Sequence, residues 1–341
     1  MGTLARGVYA EYSRPQDDDA IYMTNTNKKP KSELRKDYIQ DKYVIIAPRR
    51  GKRPHDVEAP KRTNAYKNPE ESVFHPKKIK NIQALHTVGR ESNWRIKVIP
   101  NKFPAISLDN AKAYGTQEVI IETPDPNLEL EDLPVKHIAE LLEVYAKRTH
   151  EIQKIENIQY IIIFKNDGGK AGASIQHAHS QIFATDFIPP HLRDKSLKQL
   201  SYILENGRCA YCDIAHREMR SSRAVWEDAQ IACFTPYASM HNYECWIIPK
   251  QHKDNITQLD KHERKSFARA LRHILSRING LGLSYNYYFH QVVYDENQHL
   301  YMKITPRGSL WAGVEIGSGV IINSISPEEA AKFYRKGVDK I

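Results

Sequence analysis

Apolar positions along the chain recur with two periods, one near two residues and one near three and a half, the signatures of strands and amphipathic helices. Residues 42–47 (KYVIIA) form a short β-branched run that predicts a strand, closed by Pro48 and a basic turn. Residues 95–99 (RIKVI) alternate like a strand and stop at Pro100, and 118–122 (EVIIE) predict another. Val135, Ile138, Leu142 and Tyr145 lie at helical spacing within 134–155. Residues 159–164 (QYIIIF) read as a buried strand, followed by the loop NDGGKAGAS and the stretch ASIQHAHSQIFA at 173–184. Residues 1–33 are polar and read as a loosely ordered extension, and 54–80 as a long loop.

The second half repeats that order. Residues 229–234 (AQIACF) end at Thr235-Pro236, and 243–248 (YECWII) end at Pro249. A helix is predicted over 260–278, with Phe267, Leu271, Ile274 and Ile278 on one face. Strands follow at 285–293 (YNYYFHQVV) and 298–305 (QHLYMKIT). Each half therefore runs strand, Pro, strand, Pro, helix, strand, loop, and a strand that opens on histidine, which reads as an internal duplication. His177-Ala-His179 in the first half matches His299-Leu-Tyr301 in the second.

Charge narrows the partners. A formal net charge of +9 on 341 residues suits nucleotides, sugar phosphates or nucleic acid. Part of the excess sits in basic runs at 28–36 and 49–53. A run of this kind is first read as a solvated face. A nucleic-acid binder would rest on charge alone, without interleaved aromatic and basic residues, so no nucleic-acid partner is expected. No apolar stretch approaches the ~18 residues of a membrane span. The first residues lack an apolar signal core. A cytoplasmic protein with no membrane partner is expected. All four cysteines lie in the second half, which argues against a disulfide framework.

Extended chain places His177, His179 and Gln181 on one face. The preceding loop offers small residues and free backbone N–H groups, which let a phosphate approach. Catalysis or phosphate binding, a metal pair, and a structural pair all fit these residues.

Several stretches together resemble the galactose-1-phosphate uridylyltransferase family of the histidine-triad superfamily. They are SELRKDYIQDKYVIIAPRRGKRPHD, RIKVIPNKFPAI, EVIIETPD, the loop and histidine segment, CAYCDI, WIIPKQH and AGVEIGSGVIINSISPEEAA, in that order. The resemblance covers 34–335. It implies an α+β fold of two tandem histidine-triad-like units, each an antiparallel sheet flanked by helices. The units would be a catalytic half at 34–195 and a second half at 196–341, with 1–33 outside them. It implies transfer of UMP between UDP-hexose and hexose 1-phosphate, with His179 as the covalent nucleophile. Imidazole suits that role because it is nucleophilic when neutral and departs readily afterwards. By resemblance, Gln181 donates to an oxygen of the α-phosphorus. Asn166 and Ser174, with the backbone at Gly172 and Ala173, hold the phosphates. Arg50 and Arg53 face the phosphates, and Asn101 and Phe103 line the base and ribose pocket. Glu315 and Asn323 lie in the segment that contacts the hexose in relatives, which commonly form homodimers.

The chain departs from the family pattern at one metal site. Many members place a Cys-x-x-Cys after the basic turn and a histidine after the ETPD strand, completed by the first histidine of the catalytic pair. Here the first stretch reads KRTNAYKNPEES, and Pro126 follows Asp125. No metal is expected in the first half, and His177 is expected to orient its loop by hydrogen bonds. The second half carries Cys209, Cys212, His252 and His299, a thiolate and imidazole set suited to closed structural zinc. Cys233 and Cys245 read as core residues. Tyr301 stands where a second nucleophile would be needed, so this half is expected to lack one. Two alternatives stay open: an ADP-sugar or dinucleoside tetraphosphate phosphorylase with the same histidine chemistry, and a non-catalytic nucleotide-binding protein.

Overall fold

The structure, a computed structural model, describes residues 31–52 and 66–338. Most of the expected extension, Arg53 and residues 61–65 of the KRTNAYKNPEES stretch lie outside the described residues. The strands are β1 (Glu33–Lys36), β2 (Tyr43–Ile46), β3 (His86–Arg90), β4 (Asn93–Pro100), β5 (Gly115–Ile121), β6 (Tyr160–Asp167) and β7 (His179–Thr185) in the first half. The second half supplies β8 (Ala224–Glu227), β9 (Ile231–Phe234), β10 (Cys245–Pro249), β11 (Tyr285–His290), β12 (Tyr301–Pro306) and β13 (Ile321–Asn323). The α-helices are α1 (Pro76–Ile79), α2 (Val135–Ile152), α3 (Pro190–Asn206), α4 (Ala210–Glu218), α5 (Lys261–Asn279), α6 (Gly313–Ser318) and α7 (Pro327–Arg335).

The duplication is visible in the strand order. Ten strands form one sheet in the order β3-β4-β5-β7-β6-β11-β12-β10-β9-β8. From either edge inward, the fourth strand counted is the last that its half gives to this sheet, and the innermost strand is the one before it in sequence. The two antiparallel units are thus joined edge to edge, rather than packed as separate sheets, through β6 and β11, with Asn166 opposite Asn286. This union removes an exposed edge from each half. Helix α3 connects the halves and runs across position 195.

Helices α2 and α5 bury their apolar stripes on one sheet face. Phe267, Leu271, Ile274 and Ile278 of α5 pack with Leu142 and Tyr145 of α2 in the core that includes Ile161, Ile163, Tyr287 and Ile304. A capping box starts α5: Asp260 accepts from the N–H groups of His262 and Glu263. Truncating Phe267 to Ala would cost about 3–5 kcal/mol. Cys233 and Cys245 are buried in this core, as expected.

The opposite sheet face is covered at both ends. At the first-half end, Phe74 and Ile79 pack on Trp94, Val119 and Ile121. At the second-half end, Tyr211 and Ile214 of α4 pack on Trp246 and Tyr301. Cavities lie between these covers. A small sheet, β1-β2-β13, ties the two chain ends together, with β13 parallel to β2. The described part of the basic run at 28–36, residues 31–36, is exposed as expected of a solvated face, with one exception. Arg35 is buried and bonds Glu328 at 2.9 Å and the Tyr237 carbonyl at 3.0 Å. Asn323 is buried too, donating to the carbonyls of Ser239 and His241.

Candidate active site

The glycine loop is built for close approach. Gly168 has φ +78°, and a Cβ there would lie 2.3 Å from Ser284 Oγ. A short turn at Gly169–Ala171 follows, ending at Gly172 with φ +82°. Strand β7 then begins at His179, so His177 sits in the bend before it, although both rings meet Phe74.

The two histidines differ in their bonds. His177 is fully buried, with Nε2 2.7 Å from the Thr123 carbonyl and Nδ1 2.7 Å from Ser72 Oγ. The carbonyl can only accept, so Nε2 carries the proton and Nδ1 accepts from the serine hydroxyl. Both ring nitrogens are therefore committed to hydrogen bonds. His179 Nδ1 lies 2.8 Å from the His177 carbonyl. Its proton is fixed on Nδ1 by the same logic, which leaves the lone pair on Nε2. Burial pushes both imidazoles down to about 4, so both are neutral at pH 7. The Phe74 ring stands edge-on to His179 at 5.4 Å.

His179 opens on a cavity of about 340 Å3, whose walls include Lys165, Asn166, Gly168, Ser174 and His177. A second cavity of about 300 Å3 shares Asn166 and is walled by Phe164, His241, Asn286, Tyr288 and Arg307. Asn286 Nδ2 donates to Asn166 Oδ1 and to the Ala171 carbonyl, both at 2.8 Å. That bond fixes the Asn166 amide with its NH2 free to donate elsewhere. A buried network underlies β7. Lys165 Nζ pairs with Glu122 Oε2 at 2.7 Å, and both side chains are buried. Tyr145 OH lies 2.7 Å from both Ser180 Oγ and Tyr287 OH. Burial pulls the Lys165 ammonium down, but the carboxylates of Glu122, Glu129 and Asp167 outweigh it and leave the group raised to about 12.

Other expected residues lie farther out. Gln181 accepts from Gln117 Nε2 at 3.0 Å, and the Gln117 carbonyl accepts from Asn101 N at 3.0 Å. This chain of bonds ties the 101–105 loop to β7, but Phe103 is 82% exposed. Arg50 is exposed on the turn Pro48–Lys52. It lies near Glu315, whose carboxyl is held below its usual range by the N–H groups of Ala312 and Glu315 itself, with a smaller contribution from Arg50. Neither cavity wall includes Arg50, Asn101, Phe103, Gly172 or Gln181. Sequence reasoning missed Ser72, Lys165, Glu122, Asn286 and Arg307. For Lys165, a usable signal existed: a charged residue continuing a buried strand.

Cys209, Cys212, His252 and His299 converge, with ligand atoms all within 4.8 Å of one another. Cys212 Sγ lies 3.4 Å from His299 Nδ1 and 3.8 Å from His252 Nδ1, and Cys209 Sγ lies 3.8 Å from His299 Nδ1. Tetrahedral zinc bonds of ~2.3 Å to sulfur and ~2.0 Å to nitrogen imply edges of about 3.3–3.8 Å, with about 3.5 Å from sulfur to nitrogen. The donor set therefore fits a metal ion. Its second shell fits as well: His252 Nε2 is 3.0 Å from the Glu296 carbonyl and His299 Nε2 is 3.0 Å from the Pro249 carbonyl. Each bond puts the ring proton on Nε2 and turns the Nδ1 lone pair inward. Gln199 donates to Cys209 Sγ at 2.9 Å. Tyr301, the counterpart of His179, is fully buried, stacks on Trp246 and accepts from Lys195 at 2.9 Å.

Residues 89–189 match the family described as galactose-1-phosphate uridyl transferase, N-terminal domain. ADP-glucose phosphorylase of Arabidopsis thaliana is 30% identical over 328 residues, spanning 89% of this chain and 92% of that protein. The chain belongs to the galactose-1-phosphate uridylyltransferase family. Galactose-1-phosphate uridylyltransferase of Thermotoga maritima is 27% identical over 334 residues, spanning 89% of this chain and 98% of that protein. The crystal structure of the Arabidopsis phosphorylase with bound ADP-glucose superposes with a TM-score of 0.79, covering 90% of this chain and 99% of that one. Membership places the chain in a family of uridylyl and nucleotidyl transferases, with the α+β architecture expected from its motifs. No helix among the described residues is long and apolar enough to cross a membrane.

Proposed function

We propose that this chain moves a nucleoside monophosphate from a nucleoside diphosphate hexose to a phosphate-bearing acceptor through a covalent nucleotidyl-His179. The observation that carries this reading is the 2.8 Å bond from His179 Nδ1 to the His177 carbonyl, at the wall of a cavity closed by the glycine loop. Nε2 attacks the α-phosphorus, the bond from phosphorus to the bridging oxygen breaks, and hexose 1-phosphate leaves. The ring keeps its Nδ1 proton and becomes a nucleotidyl-imidazolium, whose charge the His177 carbonyl stabilises. A phosphate oxygen of the acceptor then attacks the same phosphorus and releases neutral His179. Two displacements give ping-pong kinetics. Asn166 and Ser174 donate to phosphoryl oxygens, helped by the backbone at Gly172 and Ala173, and Gln181 assists at the α-phosphorus. Arg50 and Arg53 supply positive charge to the phosphates. Asn101 and Phe103 close over the base and ribose, and His177 holds the loop.

UDP-hexose with hexose 1-phosphate as acceptor is the donor pair read from the family. A second reading, an ADP-sugar with phosphate as acceptor, is favoured by the slightly higher identity to the Arabidopsis phosphorylase, 30% against 27%. Incubation with radiolabelled UDP-glucose and ADP-glucose, separately, decides between them. Label retained from the uridine donor and discharged by hexose 1-phosphate supports the first. Label from the adenine donor alone sinks it. No label from either returns the protein to a non-catalytic nucleotide binder.

Zinc is proposed at Cys209, Cys212, His252 and His299. With four protein ligands it leaves no open position and acts in folding, not in the reaction.

A further inference from the structure

Ser72 belongs to neither cavity wall, yet its hydroxyl reaches His179 through a single residue. It is fully buried, between the turn Pro69–Glu71 and α1. Phe74 and Ile79 anchor this segment in the cluster with Trp94, Val119 and Ile121. A serine hydroxyl has one proton to give. Ser72 Oγ accepts from Phe74 N at 3.2 Å and gives its proton to His177 Nδ1 at 2.7 Å. The far side of the same ring donates from Nε2 to the Thr123 carbonyl at 2.7 Å. Two hydrogen bonds and the edge-on Phe74 ring, centroids 5.9 Å apart, therefore pin the imidazole. The backbone of the pinned residue carries the carbonyl that holds His179 Nδ1–H at 2.8 Å. The next carbonyl, of Ala178, accepts from Glu122 N at 3.2 Å. With Nδ1–H held, His179 keeps its lone pair on Nε2. With the His177 carbonyl displaced, the ring is free to carry its proton on Nε2 and then has no lone pair to offer there.

We infer that Ser72 is a positioning residue for the nucleophile: its hydroxyl, acting through the His177 ring and carbonyl, keeps His179 in the Nδ1–H tautomer whose Nε2 attacks phosphorus. The inference rests on the nucleotidyl-transfer reading above and extends the site to the segment 69–79, which touches neither cavity. A serine that only filled space would alter stability and leave the His179 tautomer as it is.

The first readout is nitrogen NMR of the intact protein carrying isotope-labelled histidine, which distinguishes protonated from unprotonated ring nitrogens. His179→Gly assigns the His179 signals. The unmutated protein should show His179 protonated on Nδ1 and His177 on Nε2. Ser72→Ala should move a measurable share of His179 to the Nε2–H form, and Ser72→Thr, which keeps the hydroxyl, should restore Nδ1–H. The second readout is the single-turnover rate of His179 labelling by UDP-glucose and by ADP-glucose, tried separately. Leaving the buried His177 Nδ1 without its donor should slow labelling about ten- to a hundredfold, with the donor concentration at half-maximal rate changed less than about twofold. Ser72→Thr should recover most of the rate. If threonine proves too large for the site, seen as a lowered Tm, Ser72→Ala still decides through the tautomer. An Nε2–H form of His179 in the unmutated protein overturns the inference. So does an unchanged His179 tautomer in Ser72→Ala, or labelling as fast as in the unmutated protein, whatever happens to Tm. Failure of the transfer reading looks different: neither donor labels His179 in any of these proteins, while the tautomer comparison still reports on Ser72.

Discussion

His179 and Tyr301 occupy matching places on β7 and β12, and the contrast between them shows how the two halves diverged. His179 borders a cavity and points a lone pair outward from a fixed Nδ1–H. Tyr301 is stacked on Trp246 at 4.3 Å beneath the cover formed by α4. The preceding histidines diverged the other way. His177 spends both ring nitrogens on Ser72 and Thr123, whereas His299 turns Nδ1 toward two cysteines. A duplicated unit can thus keep its backbone while its chemistry is divided, because each role needs only a few side chains on a shared frame.

The largest expected effect is on the nucleophile. Replacing His179 by Gly should lower turnover on the order of ten-thousand-fold or more, as loss of a covalent nucleophile does elsewhere. Steady-state rates with the preferred donor check it. Next comes the metal group. Cys209→Ser should release the metal, read by elemental mass spectrometry, and destabilise the chain by about 3–5 kcal/mol with a Tm several degrees lower. Full turnover by the refolded variant at low temperature would fit a structural metal, and loss of turnover without loss of stability would blur the division between the halves.

A smaller effect probes the seam. Asn286→Ala frees the Asn166 amide to rotate and should lower kcat/KM about tenfold, one hydrogen bond's worth. The pH dependence is smaller again. His179 is held down to about 4, below its ordinary 6.5, so its neutral form persists as pH falls. The rate of nucleotidyl-enzyme formation should stay flat from pH 8 to about 5 and fall only as pH approaches 4. A fall centred near 6.5 would contradict the buried, neutral nucleophile. Finally, Tyr301→His should add no second label: labelling should stay at one nucleotidyl group per chain, since no cavity wall includes position 301.

Much of this contrast could be read from residue order. The strand centres and both long helices follow from apolar periodicity, and α2 at Val135–Ile152 falls within the predicted span. His-x-His and the Cys and His set stood out because those residue types are rare and their chemistry is specific. Other elements gave no local signal. Strand β13 is three residues long and exists because β2, far away in the chain, offers it a parallel partner. Helix α3 turns Leu197, Leu200 and Leu204 toward solvent, so its apolar positions do not mark a buried face. Edge strand β3 carries a bulge at Gly89 and little burial, which dilutes alternation. Ser72, Asn286 and Arg307 are common residue types whose place in the site is set by pairing between distant segments.

One measurement bears most directly on the division of labour. Unmutated protein is incubated with a nucleoside diphosphate glucose, quenched in alkali, where phosphohistidine survives, and mapped by peptide mass spectrometry. The account predicts one nucleoside monophosphate per chain, carried on His179, lost in acid and absent from His179→Gly. A nucleotide on any second-half residue, or none on His179 during active turnover, would contradict it.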